Sequence, residues 1–125
     1  MIQATRFRKI RPRVRILIGS ATALGPGKVD LLQAIISHGL ISAVSRQMGM
    51  SYRRAWMLVA TMNRCFDGNL VATSTGGAGG GGAKVTLLGR EVLSRYREME
   101  ANAEACVSDE VAAFAKLMAD PTVES

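Results

Sequence analysis

Gly39-Leu40-Ile41-Ser42-Ala43-Val44-Ser45-Arg46-Gln47-Met48-Gly49-Met50-Ser51-Tyr52-Arg53-Arg54-Ala55-Trp56 is the stretch that decides the fold. Gly39 reads as the C′ residue of a preceding helix. Ser42 reads as the N-cap of a short helix that ends at Gln47 or Met48. Gly49 closes that helix, and Ser51 caps again only nine residues after Ser42. A further helix is expected over 52–65. Two short helices joined at Gly49-Met50, in a turn too tight for an ordinary antiparallel pair, are a helix-turn-helix signal. Val44, Met48 and Met50, then Ala55 and Leu58 or Val59, are apolar where the two helices must pack. The inner face of the second helix reads Ala55, Trp56, Val59, Met62 and Phe66. Its outer face reads Arg53, Arg54, Met57, Thr61 and Arg64.

Upstream, Gly25-Pro26-Gly27 is a break, and Leu31, Leu32, Ile35 and Ile36 form one apolar stripe of a helix over 28–38. The residues before it, 1–26, are basic. Met1 to Arg15 holds six basic side chains and no acid, followed by Ile16-Leu17-Ile18. This imitates a targeting peptide, but Gly19, Ser20 and Thr22 interrupt the apolar run, and a strand over about 13–18 accounts better for the β-branched residues.

Downstream, a short strand at 70–73, a run of six glycines in the seven residues 76–82, and a strand at 84–86 make a hairpin. Thr86 or Leu87 starts a long helix with the apolar stripe Leu88, Val92, Leu93, Tyr96 and Met99. A last helical stretch is expected over 109–118, ended by Pro121. The expected fold class is mainly α with a small β-hairpin. It comprises a basic N-terminal segment at 1–26, a winged helix-turn-helix at 27–90, and a C-terminal dimerisation helix with a short helical tail at 87–125.

The chain has 125 residues, 48% of them apolar, and a formal charge of +6. That suits one domain with its own core. The charge is unevenly spread. Residues 1–90 carry thirteen Lys/Arg against Asp30 and Asp67, a net of +11, whereas residues 91–125 carry three basic and eight acidic side chains, a net of −5. The basic part reads as the partner of a polyanion. No apolar run is long enough to span a bilayer, so no membrane partner is expected and a cytoplasmic location is. Cys65 and Cys106 are 41 positions apart and His38 is the single histidine. Neither a zinc knuckle nor most nucleophile–base schemes can be built from them. No catalytic residue, metal or cofactor is expected. The glycine run satisfies GxGxxG only by composition and leads into a strand, so it is no dinucleotide fingerprint. Gly25-Pro26-Gly27-Lys28-Val29 lacks the first glycine and the hydroxyl of a phosphate loop.

Arg53 and Arg54 stand in the first turn of their helix, where the macrodipole disfavours cations. Broken local rules concentrate at functional sites, and arginine at the tip of a recognition helix can read guanine.

Residues 42–91 resemble the DNA-binding domain of the ModE-type molybdate-responsive transcription regulators, close to the LysR-type winged helices. The matching signatures are Gly-Leu-Ile-Ser (39–42), Gly-Met-Ser-Tyr-Arg-Arg-Ala-Trp (49–56), Met-Asn (62–63), Thr-Gly-Gly-Ala-Gly-Gly-Gly-Gly-Ala (75–83), then Thr86 and Gly89. The resemblance extends over about 28–99. It implies a homodimeric, sequence-specific regulator that binds double-stranded DNA. The family's strand-rich oxyanion-binding module has no counterpart after Thr86, so molybdate binding is not expected, and the chain resembles a short, stand-alone form.

In this reading Ser51, Arg53, Arg54 and Met57 face base edges. Met57 either meets a thymine methyl or is incidental there. Ser42, Ser45, Arg46, Tyr52, Thr75, Gly79, Gly80, Gly81, Gly82 and Lys84 contact the backbone, with Tyr52 equally able to close over the turn. Trp56 belongs to the core. The helices at 28–38 and 88–106 supply the dimer surface. Two other classes remain: an interaction module that kept the fold without DNA binding, and a small-ligand sensor.

Overall fold

A computed structural model describes residues 10–74 and 82–119. The chain opens with a β-hairpin, β1 (Ile16–Ile18) and β2 (Ala21–Leu24). Three helices follow: α1 (Pro26–His38), α2 (Ile41–Met48) and α3 (Tyr52–Cys65). A second antiparallel hairpin, β3 (Val71–Ser74) and β4 (Gly82–Val85), leads into α4 (Leu87–Cys106) and α5 (Ser108–Ala115). The molecule is mainly helical with small β-hairpins, as the sequence pattern indicates.

Local chemistry sets most boundaries. Pro26 occupies the first turn of α1, two residues earlier than the helical periodicity suggests, because proline's missing N–H costs nothing there. Gly39 (φ 75°) and Gly49 (φ 67°) end α1 and α2 in the left-handed conformation. Ser51 caps α3, its Oγ accepting the Arg54 N–H at 3.0 Å. Thr86 caps α4 in the same way through the Gly89 N–H, also at 3.0 Å.

Four expectations are corrected. Ser42 is not a cap: α2 begins at Ile41 behind an extended Leu40, which is held in that conformation by a β-bridge to Gly82. The strand expected over 13–18 shrinks to β1, and it pairs with β2, a strand that the sequence pattern does not announce. Gly19 (φ 60°) and Ser20 form the two-residue turn between them, the loop length that favours a positive φ. The hairpin strands at 70–73 and 84–86 are shifted to 71–74 and 82–85. The apolar stripe of α4, assigned to the dimer surface, packs largely on the chain's own core. Leu93 and Tyr96 are buried, and Leu88 and Val92 pack on the same core, which leaves Met99 exposed.

The core gathers Leu31, Leu32 and Ile35 of α1, Ile41 and Val44 of α2, Ala55, Val59 and Met62 of α3, and Val71 and Val85 of the second hairpin. Phe66 and Trp56 pack at its margin. The α4 helix comes so close to β3 that Gly89 has no room for a side chain. A Cβ there would overlap the Leu70 carbonyl oxygen and stand 2.7 Å from Val85 Cγ1. The tail α5 turns off at Val107, which ends one helix and begins the next. It is a shorter element than the expected 109–118, none of its residues is buried, and Pro121 lies outside the described residues.

Candidate nucleic-acid interface

The sharpest feature is the polarity of α3. Its inward residues Ala55, Val59 and Met62 are each 2% exposed or less, whereas Arg53, Arg54 and Met57 are exposed. The helix is therefore pinned by one face and displays the other. Ser51, Arg53, Arg54 and Met57, with Leu58 and Thr61, line one surface groove of about 210 Å³. The structure thus brings together all four residues expected at base edges. Arg64, farther along, leans back on its own helix, its Nη2 donating to Thr61 Oγ1 at 3.4 Å.

Tyr52 is exposed, and its ring meets Trp56 edge-on at 6.0 Å between centroids. That contact sets the ring against the helix it begins and leaves Trp56 only half-buried. Arg46 and Lys84 are exposed. Lys84 sits opposite Ala72 in the hairpin register, on the face away from the buried Val71 and Val85. Gly82 is half-buried, and a Cβ there would come within 2.9 Å of Ser74 Oγ. Ser45 does not suit its expected role: it is 5% exposed and its hydroxyl donates to the Ser42 carbonyl at 2.9 Å. Ser42 is half-buried in the first turn of α2. Thr75, Gly79, Gly80 and Gly81 lie outside the described residues.

Two features anchor the second hairpin, one on α3 and one on the α1–α2 corner. Asn63 Oδ1 accepts the N–H groups of Leu70 (2.9 Å) and Val71 (3.1 Å), and its Nδ2 donates to the Val71 carbonyl at 3.1 Å. One side chain thereby ties the last turn of α3 to the root of β3. On the other strand, the Ala83 N–H donates to the Gly39 carbonyl at 3.0 Å beside the Leu40–Gly82 bridge. Sequence reading finds Asn63 only as part of the Met-Asn signature; periodicity assigns it no role.

Sequence reading also misses Arg15 and Lys28, which line a groove of about 290 Å³ together with Arg54. The available signal is Lys28 in the first turn of a helix, the same broken rule that draws attention to Arg53. Among the described residues, no group of His, Cys, Asp and Glu stands arranged to hold a metal ion, and no helix is long and apolar enough to cross a membrane. Cys65 and Cys106 are both free thiols.

No family model matches the chain. Curated relatives do. It is 38% identical over 80 residues to the molybdenum-pterin-binding protein MopA of Rhodobacter capsulatus, covering 64% of this chain and 30% of that protein. It is 35% identical over 97 residues to the molybdenum transport protein ModE of Azotobacter vinelandii, covering 78% and 35%. It is 38% identical over 71 residues to the DNA-binding transcriptional dual regulator ModE of Escherichia coli, covering 57% and 27%. The chain spans about a third of the length of these relatives. Over the greater part of its own length, then, this chain is related to the ModE and molybdenum-pterin-binding proteins.

Proposed function

We propose that the protein is a winged helix-turn-helix regulator that binds double-stranded DNA as a homodimer in the cytoplasm. The observation that carries this reading is the exposed Ser51-Arg53-Arg54-Met57 face at the start of α3, on a helix whose opposite face is locked in the core. In this reading α2 and α3 are the helix-turn-helix, and α3 enters the major groove by its N-terminal turn. Arg53 and Arg54 then reach guanine edges and Met57 a thymine methyl. The β3–β4 hairpin is the wing, with Gly82, Lys84 and the glycines between its strands on the sugar-phosphate backbone. Arg46, Tyr52 and the Ser42 turn of α2 hold phosphates beside it; Ser45, being buried, is left out. The regulator role agrees with that of the Escherichia coli relative, a DNA-binding transcriptional dual regulator. Molybdate has no part in what we assign to these residues, and no catalytic role is assigned to any of them.

Fluorescence anisotropy with labelled duplexes tests this. Six to ten phosphate contacts predict an affinity loss on the order of 10³–10⁵ between 50 and 200 mM salt, and selection from random duplexes should return a palindromic site. Absence of binding to any duplex at the lower salt would leave the interaction module as the better reading.

A further inference from the structure

A second cationic groove lies beside the α3 tip. Arg15 comes from the segment before β1, Lys28 from the first turn of α1 and Arg54 from the first turn of α3, and Met48, Met50 and Leu58 supply apolar wall between them. Among the described residues, no carboxylate lines this groove. Asp30, the closest acid in sequence to Lys28, lines a different one with Gln33 and His38.

The charges gathered here are not compensated within the described residues. Two positions before Arg15, Arg13 pairs with Glu100 at 2.9 Å; Arg15 and Arg54 have no such partner. Arg15 instead lays its stem toward Gly25, where a Cβ would stand 3.4 Å from Arg15 Cγ. Lys28 Nζ donates to the Thr22 carbonyl, which fixes the ammonium at the groove. Lys28 and Arg54 both occupy first turns of helices, where a cation is disfavoured and an anion favoured. A Cβ at Gly27 would meet nothing within 4 Å, so the approach to that turn of α1 is open. Three cationic side chains line this one opening, and like charges sharing a groove are stabilised when an anion binds there.

We propose that this groove holds a phosphodiester of the same DNA duplex that α3 reads, one strand running from the α3 tip across Arg15 and Lys28. This rests on the DNA-binding reading above. The occupant is chosen by continuity: Arg54 lines both this groove and the one formed by Ser51, Arg53 and Met57. A backbone leaving the base-reading face on that side meets Arg15 and Lys28 next.

The test uses the full chain and a labelled random-sequence duplex, on which phosphates are engaged whatever the bases. Arg15→Gln and Lys28→Gln keep a polar stem and remove the charge. Each is expected to reduce the slope of log affinity against log salt by about 0.9 for every phosphate that is no longer neutralised. The ratio of selected-site to random-duplex affinity should stay constant. Arg15→Lys should retain the slope. Arg95→Gln, which removes an exposed cation paired with Glu91 on α4 and outside this groove, should leave the slope alone. If the wild-type chain binds and the slope is unchanged in both Arg15→Gln and Lys28→Gln, the groove holds no phosphate while the DNA reading stands. If either variant changes the selected-to-random ratio instead, the groove reads bases and the proposal is equally overturned. If the wild-type chain binds no duplex, both readings fall together.

Discussion

The Tyr96 hydroxyl donates a 2.6 Å hydrogen bond to the carbonyl of Val14, 82 positions earlier in the chain. Tyr96 is fully buried in the middle of α4, with Glu100 Oε2 at 3.4 Å. Glu100 is in turn held by Arg13. The bond and the ion pair strap the basic N-terminal segment onto α4, and through it position Arg15 beside the groove. Burial chiefly, then the Glu100 charge, raises the Tyr96 pKa above its ordinary value of 10.0, against the opposing pull of Arg13 and Arg15.

Tyr96→Phe should therefore lower stability by about 0.5–1.5 kcal/mol at neutral pH, one hydrogen bond with no cavity. The pH dependence follows from the raised pKa. Above pH 10 the unfolded tyrosine ionises while the folded one keeps its proton, so this residue's contribution is full below pH 10 and falls as pH rises toward the folded value. Urea midpoints of wild type and variant should converge above pH 10; parallel curves would show that Tyr96 does not titrate between the two states.

Gly89→Ala should be among the costly single changes in the chain. The added methyl overlaps the Leu70 carbonyl and crowds Val85 Cγ1, so α4 must move off β3. Overpacking of this kind costs about 1–3 kcal/mol, and a higher helix propensity for alanine cannot offset it. A thermal midpoint equal to or above wild type would show that α4 does not approach so closely.

Asn63→Ala removes three hydrogen bonds at the root of the second hairpin and leaves two backbone N–H groups without acceptors. A loss of roughly 2–3 kcal/mol is expected. Asn63→Asp keeps the acceptor and loses the donor to Val71, so it should fall between. Amide exchange at Leu70 and Val71 should accelerate in both variants.

Arg53→Ala and Arg54→Ala should each cost ~1–3 kcal/mol on a selected site and relax preference at one base position. Lys84→Ala should weaken every sequence alike and reduce the salt slope by about one. Circular dichroism should be unchanged, since all three side chains are exposed. Selected-to-random ratios that survive both arginine changes and collapse with Lys84→Ala would move sequence reading to the wing.

Most of the α4 stripe packs on the domain's own core, so the dimer is expected to draw on the apolar side chains left exposed. Phe114 (60% exposed), Leu117 (83%) and Met118 (49%) form the largest apolar exposure near the tail. Light scattering at tens of micromolar should give a dimer mass, and Phe114→Glu with Leu117→Glu should give the monomer. A wild-type monomer would remove the palindromic-site expectation with it.

Much of the fold was legible because its signals are local. Ser51 caps α3 through the N–H three residues on, a bond that no distant segment has to supply. Gly39 and Gly49 stop helices because they alone accept a positive φ cheaply. The 3.6-residue alternation of apolar and basic side chains then separates the buried and displayed faces of α3 over 52–65, and with them the candidate DNA-reading residues. What the tertiary structure decided depends on contacts between distant segments. Leu40 is extended because Gly82 bridges to it, and this moves the start of α2 ahead of Ser42 and turns Ser45 inward. Leu93 and Tyr96 of the α4 stripe are buried in the domain's own core, which periodicity cannot distinguish from a face kept for a second copy because both look apolar in sequence. Arg15, Lys28 and Arg54 come to line one groove only when the N-terminal segment, α1 and α3 have packed, because neighbourhood is set by distance in space and not by separation along the chain.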